Sequence, residues 1–218
     1  MNAPTKELNQ ELTAADLKAS LGTLQKAYES DPYPTWGQRH AWLKSLSQAI
    51  YDNKMRIADA ISADFGYRSP NDTLLAEVFP TLEGIRHALK HGKGWMKPRK
   101  AHTGIWFKPA KSELMPQPLG VIGVMVPFNY PLLLSMGPLT NAITAGNRTF
   151  IKMSEHAPRL TQLLNEILTK ALGRDMVQII DGEANVAAAF SALPFNHLVF
   201  TGSTQIGKLV MKAASENL

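Results

Sequence analysis

The chain has 218 residues, 44% of them hydrophobic and 19% charged, with a formal net charge of +5. That length and mix allow one large or two small globular domains with a sizeable core, and no apolar run is long enough to span a bilayer. Cysteine is absent, which excludes disulfides, thiolate metal sites and a thiol nucleophile within these residues, while the modest positive balance would welcome an anionic ligand.

The first residues, Met1-Asn2-Ala3-Pro4-Thr5-Lys6-Glu7, contain no apolar signal core. Secretion is therefore not expected, and the cytoplasm is the default location. From about Thr13 to Ser30 the spacing of Leu17, Leu21, Leu24 and Tyr28 predicts an amphipathic helix, broken at Asp31-Pro32-Tyr33-Pro34. Thr35 is the predicted cap of a long second helix reaching Asp64, with Gly66 available as its left-handed terminator. A third helix is expected from about Asp72 to His91, stopping at Gly92 and kinked or broken at Pro80.

Residues 86–100 form the most basic stretch, with Trp95 among the cations. A nucleic-acid patch is one reading. A solvated helix end is the simpler one, because no nucleic-acid motif accompanies the charge. Next, Ile105-Trp106-Phe107-Lys108 and Ser112-Glu113-Leu114-Met115 are expected to be two strands around a turn at Pro109-Ala110-Lys111. Such a hairpin could pair with another subunit or cover its own domain.

From residue 119 onward strands and helices alternate. Strands are expected at Val121–Val126, Thr149–Lys152, Val177–Ile180 and Leu198–Phe200. Helices are expected from about Tyr130 to Ala145, Pro158 to Leu172, Ala184 to Ala192, and from Thr204 onward. Gly146 and Asn147 are both candidates for left-handed backbone after the first of these, and Gly173 ends the second. The pattern predicts an α/β fold in three segments. Residues 1–100 form an N-terminal helical region, 101–118 a hairpin, and 119–218 a doubly wound, mostly parallel Rossmann-like sheet. Such sheets bind ligands at the carboxyl ends of their strands.

Three groups of polar residues fall at those ends. Gly202-Ser203-Thr204-Gln205-Ile206-Gly207 follows a strand and opens a helix. Small residues there let backbone N–H groups approach a phosphate, although a tight strand-to-helix turn needs small residues too. Lys152-Met153-Ser154-Glu155 ends another strand. A lysine and a carboxylate can share the hydroxyls of a ribose, or can simply lie in a solvated loop before the Pro158 helix. Asn129 sits between Phe128 and Tyr130 in a turn stiffened by Pro127 and Pro131. Its amide can stabilise a developing oxyanion, and asparagine is also an ordinary turn residue. The six histidines are scattered without metal-ligand spacing, and no nucleophile-elbow motif is present.

Taken in order, these segments resemble the aldehyde dehydrogenase superfamily over nearly the whole chain. Pro127-Phe128-Asn129-Tyr130-Pro131 is similar to the family's Pro-Trp-Asn-aromatic-Pro turn. Gly146-Asn147 with Lys152-Met153-Ser154-Glu155 is similar to its Gly-Asn…Lys-Pro-Ser-Glu segment, and Phe200-Thr201-Gly202-Ser203 with Gly207 to its Phe-Thr-Gly-Ser-x-x-x-Gly loop. Ala63-Asp64-Phe65-Gly66, Gln117-Pro118-Leu119-Gly120-Val121 and Pro194–Phe200 resemble the class 3 branch.

The resemblance implies oxidation of an aldehyde, an aromatic one of coniferyl type among the candidates, to its carboxylate with NAD or NADP. By position, Asn129 would hold the oxyanion. Lys152 and Glu155 would bind the adenosine ribose, with Ser154 also among the cofactor-binding residues, and Gly182 would line the adenine side. Gly202 and Ser203 would approach the pyrophosphate, with Thr204, Ile206 and Gly207 also cofactor-binding, while Pro127 and Phe128 would line the cofactor cleft. A homodimer is implied, with no metal, no nucleic acid and no membrane. Phe128 and Met153 depart from the family's tryptophan and proline without removing a hydrogen-bonding group. The chain ends before the family's Glu-Leu-Gly-Gly segment and its cysteine. It is therefore expected to be the cofactor-binding portion of an incomplete aldehyde dehydrogenase fold, inactive by itself for want of a thiolate and a glutamate base. An open sheet edge is expected to make it self-associate and bind NAD weakly. The alternative is a non-catalytic dinucleotide-binding or subunit-interaction module.

Overall fold

A computed structural model describes residues 12–217; the Met1–Glu7 segment lies outside the described residues. Helix α1 (Ala14–Ser30) begins at a reciprocal cap in which Thr13 and Asp16 satisfy each other's backbone N–H groups. Thr35 and Gln38 start α2 (Trp36–Asp52) in the same way. The single long helix expected from Thr35 to Asp64 is in fact two, because α2 ends at Asn53 and α3 runs Lys54–Asp64. The Asn53 side chain donates to the Ala49 carbonyl at 2.9 Å. This local competition for backbone partners is why asparagine is weak in helix interiors. Gly66 does adopt the left-handed conformation, at φ +77°.

The next helical stretch has three parts: α4 (Pro70–Thr73), a π-helical turn (Leu74–Val78) and α5 (Phe79–Trp95). Pro80 explains the middle part. It has no N–H to donate, and its ring crowds the carbonyl four residues back, so the ladder widens and Phe79 bonds to Leu74 instead. The helix passes Gly92, contrary to expectation. A Cβ on Gly92 would lie 2.5 Å from the Trp36 ring, so this glycine serves close helix packing and does not end the helix.

The hairpin also differs from its expected strands. Strand β1 (Arg99–Ala101) pairs antiparallel with β2 (Ser112–Leu114), while Ile105–Phe107 forms a 3-10 turn. Thr103 Oγ1 both accepts from the Ser112 backbone and donates to its hydroxyl at 3.0 Å, closing the loop below that turn.

The main sheet contains β3 (Val121–Met125), β4 (Arg148–Lys152), β5 (Val177–Ile180) and β6 (His197–Phe200), all parallel, in the order β5-β4-β3-β6. They are joined by α6 (Pro131–Ala145), α7 (Pro158–Leu172) and α8 (Ala184–Ser191), and α9 (Thr204–Ala214) follows β6. Both faces are covered, as the nearly continuous apolar strands require. Ile122, Val124 and Ile151 face a core built with α2, α3, α5, α6 and α7. Val121, Met125 and Phe150 face a second core built with α1, α8 and α9. Each fully buried leucine or isoleucine in these layers contributes about 1.5–3 kcal/mol. Gly146 closes α6 at φ +91°. Asn147 is not left-handed, as no non-glycine residue among those described is. Its Oδ1 instead accepts the Leu119 and Gly120 N–H groups at 2.7 and 3.0 Å, tying the entry of β3 to that of β4. Strand β6 pairs with β3 alone among the described residues, so its other side is an open edge.

Candidate functional site

The chain order reverses at β3. The crossover through α6 places β4 on one side, and the crossover through α8 returns the chain to place β6 on the other. Beyond the strand ends the ladder continues: Thr201 donates to Met125 at 3.2 Å, Val126 to Lys152 at 3.0 Å, and Met153 to Ile180 at 2.7 Å. These bonds align the Pro127 turn, the Lys152–Glu155 segment, Gly182 and the Gly202–Ser203 turn along one carboxyl edge, where doubly wound sheets bind ligands. An edge-to-face contact between the Phe128 and His156 rings, 6.1 Å between centroids, joins the first two of these segments directly.

Lys152 is 95% buried, with its ammonium 3.8 Å from a Glu155 carboxylate oxygen. That distance is longer than an ordinary hydrogen bond, so the two groups meet as an ion pair at the end of β4. Burial lowers its pKa despite Glu155, Asp181 and Glu183 nearby. Burial acts to raise the Glu155 carboxyl, but its own backbone N–H, Lys152, His156 and Ser154 together bring it below the ordinary range. Glu155 is therefore an anion at neutral pH. The Ser154 hydroxyl donates to it at 3.3 Å and accepts the His156 N–H at the same distance.

The glycines of this edge have steric reasons. Gly182 has φ +139°, and a Cβ there would lie 2.8 Å from Val186, so the turn from β5 into α8 tolerates no side chain. A Cβ on Gly202 would meet the Phe200 ring at 2.5 Å, and one on Gly207 would meet it at 3.3 Å. Phe200 thus folds beneath the loop and fixes its path. Ser203 caps α9, its oxygen accepting the Ile206 N–H at 3.4 Å, which leaves its proton free to donate. Thr204 and Ile206 are exposed in the first turn of α9, where helix N–H groups lack intrahelical partners.

Asn129 is exposed, and its side-chain amide has no hydrogen-bond partner among the described residues. Its backbone carbonyl accepts from Arg68 Nη1 at 3.2 Å. Arg68 also meets Glu77 at 2.8 Å and lies over the Tyr130 ring. Glu77 is fully buried and accepts the Leu132 and Leu133 N–H groups at 2.8 and 3.2 Å, capping α6. Sequence reasoning missed Arg68 and Glu77. The available signal was Pro80, which forces the π turn that carries Glu77. An open cleft of about 460 Å³ lies beside Asn129, lined by Phe65, Tyr67, Arg68, Leu75, Phe128 and Tyr130. Among the described residues no three His, Asp or Glu side chains converge as metal ligands. No helix there is long and apolar enough to cross a membrane.

A dinucleotide suits this edge by its donor set. The Lys152 ammonium and the Glu155 carboxylate offer a donor and an acceptor of the kind that ribose hydroxyls can use. The free N–H groups of α9 with the Ser203 hydroxyl match a pyrophosphate.

The fold and the edge together define a doubly wound α/β architecture. The sequence profile of the aldehyde dehydrogenase family matches residues 7–218, and the chain belongs to that family. It is 47% identical over 213 residues to a probable coniferyl aldehyde dehydrogenase of Pseudomonas aeruginosa, a match covering 98% of this chain and 44% of that protein. It is 37% identical over 205 residues to the coniferyl aldehyde dehydrogenase of Pseudomonas sp. strain HR199, covering 94% and 42%. Among solved structures, the substrate-bound state of Staphylococcus aureus AldH superposes with a TM-score of 0.87 at 30% identity, covering 92% of this chain and 44% of that one. The chain thus spans less than half the length of the relatives it matches.

Proposed function

We propose that this chain supplies the cofactor-binding part and the oxyanion donor of an NAD-dependent oxidation of an aromatic aldehyde of coniferyl type to its carboxylic acid. The observation that carries the reading is the alignment, on one sheet edge at the β3/β6 switch point, of an unpartnered asparagine amide, a Lys152–Glu155 pair and a helix N-terminus capped by Ser203. When bound, the nicotinamide dinucleotide supplies the hydride acceptor. Lys152, Ser154 and Glu155 hold the adenosine ribose and Gly182 borders the adenine. Gly202, Ser203, Thr204, Ile206 and Gly207 approach the pyrophosphate, and Pro127 with Phe128 borders the cleft. The Asn129 amide donates to the oxygen that gains negative charge when a nucleophile adds to the aldehyde carbon, a contribution typically worth about 2.7–4 kcal/mol. With no cysteine in these residues, that nucleophile comes from outside them. The Glu155 anion repels a 2′-phosphate, which favours NAD over NADP.

The test is formation of NADH absorbance with coniferyl aldehyde by a polypeptide that joins this chain to a thiolate-bearing catalytic half. The expected result is NADH formation that Asn129→Ala lowers by about 100-fold or more in kcat. Absence of NADH formation from several aromatic aldehydes would overturn the reading. A second role, pairing with another copy in a homodimer, is supported by the hairpin, where Trp106 is 93% exposed between the exposed Ile105 and Phe107.

A further inference from the structure

Three elements distant in sequence meet at the Asn129 turn. The loop after α3 brings Arg68, the π turn brings Glu77, and the turn after β3 brings Asn129 and the start of α6. Arg68 Nη1 is shared between Glu77 Oε1 at 2.8 Å and the Asn129 carbonyl at 3.2 Å. The other carboxylate oxygen of Glu77 holds the first N–H groups of α6, at Leu132 and Leu133. The guanidinium is itself wedged between the Phe65 and Tyr130 rings, 5.4 and 4.9 Å from their centroids, and its own backbone N–H is held by Ser62 at 3.2 Å.

We propose that Arg68 and Glu77 form a clasp that positions Asn129 for catalysis. Arg68 is the positioning residue, acting through the Asn129 carbonyl, and Glu77 is its anchor. This rests on the reading of Asn129 as the oxyanion donor. The clasp fixes the Asn129–Tyr130 peptide plane through the carbonyl and leaves the side-chain amide as a free donor, with both residues bordering the same cleft. A helix cap alone would need only Glu77. The guanidinium is required for two further reasons. It ties the carbonyl of the residue whose amide must be aimed, and it pairs with a carboxylate that is fully buried. A planar fork can serve two acceptors in fixed directions, which a lysine ammonium does less well. A displacement of about 1 Å at such a donor costs about 100-fold in rate.

The experiment has two arms. In the 218-residue chain labelled with 15N, Arg68→Met is expected to lower the order parameter of the Asn129 side-chain amide and to leave the backbone signals of Lys152 and Ser203 unchanged. In the polypeptide that joins this chain to a catalytic half, the same variant is expected to lower kcat about 10- to 100-fold with KM for NAD within about twofold. Arg68→Lys should restore part of the loss and serves as the readout if the methionine variant does not fold. An unchanged Asn129 amide together with an unchanged kcat would overturn the clasp. So would a fall in kcat matched by equal losses in Arg68→Met and Arg68→Lys with an unmoved Asn129 amide. A parent protein without dehydrogenase activity would instead overturn the functional reading, and the amide arm would still decide the clasp.

Discussion

Asp64 accepts the backbone N–H groups of Arg159 and Leu160, at 3.1 and 3.0 Å, and so caps α7 from the end of α3. Glu77 does the same for Leu132 and Leu133 at α6. Each of the two helices that leave the carboxyl edge of the sheet after β3 and β4 therefore starts on a carboxylate supplied by the N-terminal helices. Both begin with a proline and lack a side-chain cap of their own. The N-terminal region holds the site's two turns in place by this means, and the negative charges also complement the helix dipoles.

Removing such a cap has a measurable cost. Asp64→Ala is expected to destabilise the chain by about 1 kcal/mol, a fall of about 2–4 °C in Tm by calorimetry. Asp64→Asn should lose less, because an amide oxygen still accepts from the two N–H groups. An unchanged Tm in both variants would show that water replaces the cap at no cost.

Glu77 gives a dependence on pH. Burial is the largest influence on it and raises its pKa, against the opposing pull of the Leu133 N–H, Arg68 and the Leu132 N–H. A raised folded-state value means that the folded chain binds more protons than the unfolded one. The stabilising contribution is complete below the ordinary value of 4.5 and is lost as pH rises through the folded-state value. Urea melts across the acidic range are expected to show this loss in the parent chain and a flatter profile in Glu77→Gln. Identical profiles would contradict the assignment.

Lys152 presents a trade between stability and binding. Burial lowers its pKa, so the unfolded chain binds the extra proton, and folding gains stability as pH rises through the depressed value. Lys152→Met removes a charge that costs free energy to bury. The variant is expected to raise Tm by calorimetry while weakening NAD at least tenfold, about 1.4 kcal/mol. A variant less stable than the parent would mean that the Glu155 pair outweighs the desolvation.

Much of the carboxyl edge was readable in the sequence because local punctuation marks it. Pro158 and Gly173 bracket α7, and Val177–Ile180 stands between turn residues; both elements have the expected bounds. Candidate residues on four separate strand-end turns also prove to lie along one edge, since a parallel sheet aligns its carboxyl ends. What sequence did not reveal depends on contacts between distant residues. Asp64 and Leu160 are 96 positions apart, and Glu77 and Leu132 are 55 apart. A cap of that range leaves no local pattern. Ile105-Trp106-Phe107 reads as a strand by composition, yet the Thr103–Ser112 bonds close the loop below it and leave it a turn. Gly92 reads as a helix stop, but it is the Trp36 ring packed against it that requires a glycine there.

A titration of the 15N-labelled chain with NAD, followed by backbone amide shifts, locates the dinucleotide site. Saturable shifts are predicted to cluster at Lys152, Glu155, Gly182, Gly202, Ser203 and Thr204, with weaker effects from NADP, and to vanish in Lys152→Met. Shifts confined to other surfaces, or none at millimolar-order NAD where even a weak site with a binding free energy of about −4.1 kcal/mol fills appreciably, would contradict the assignment of this edge as the dinucleotide site.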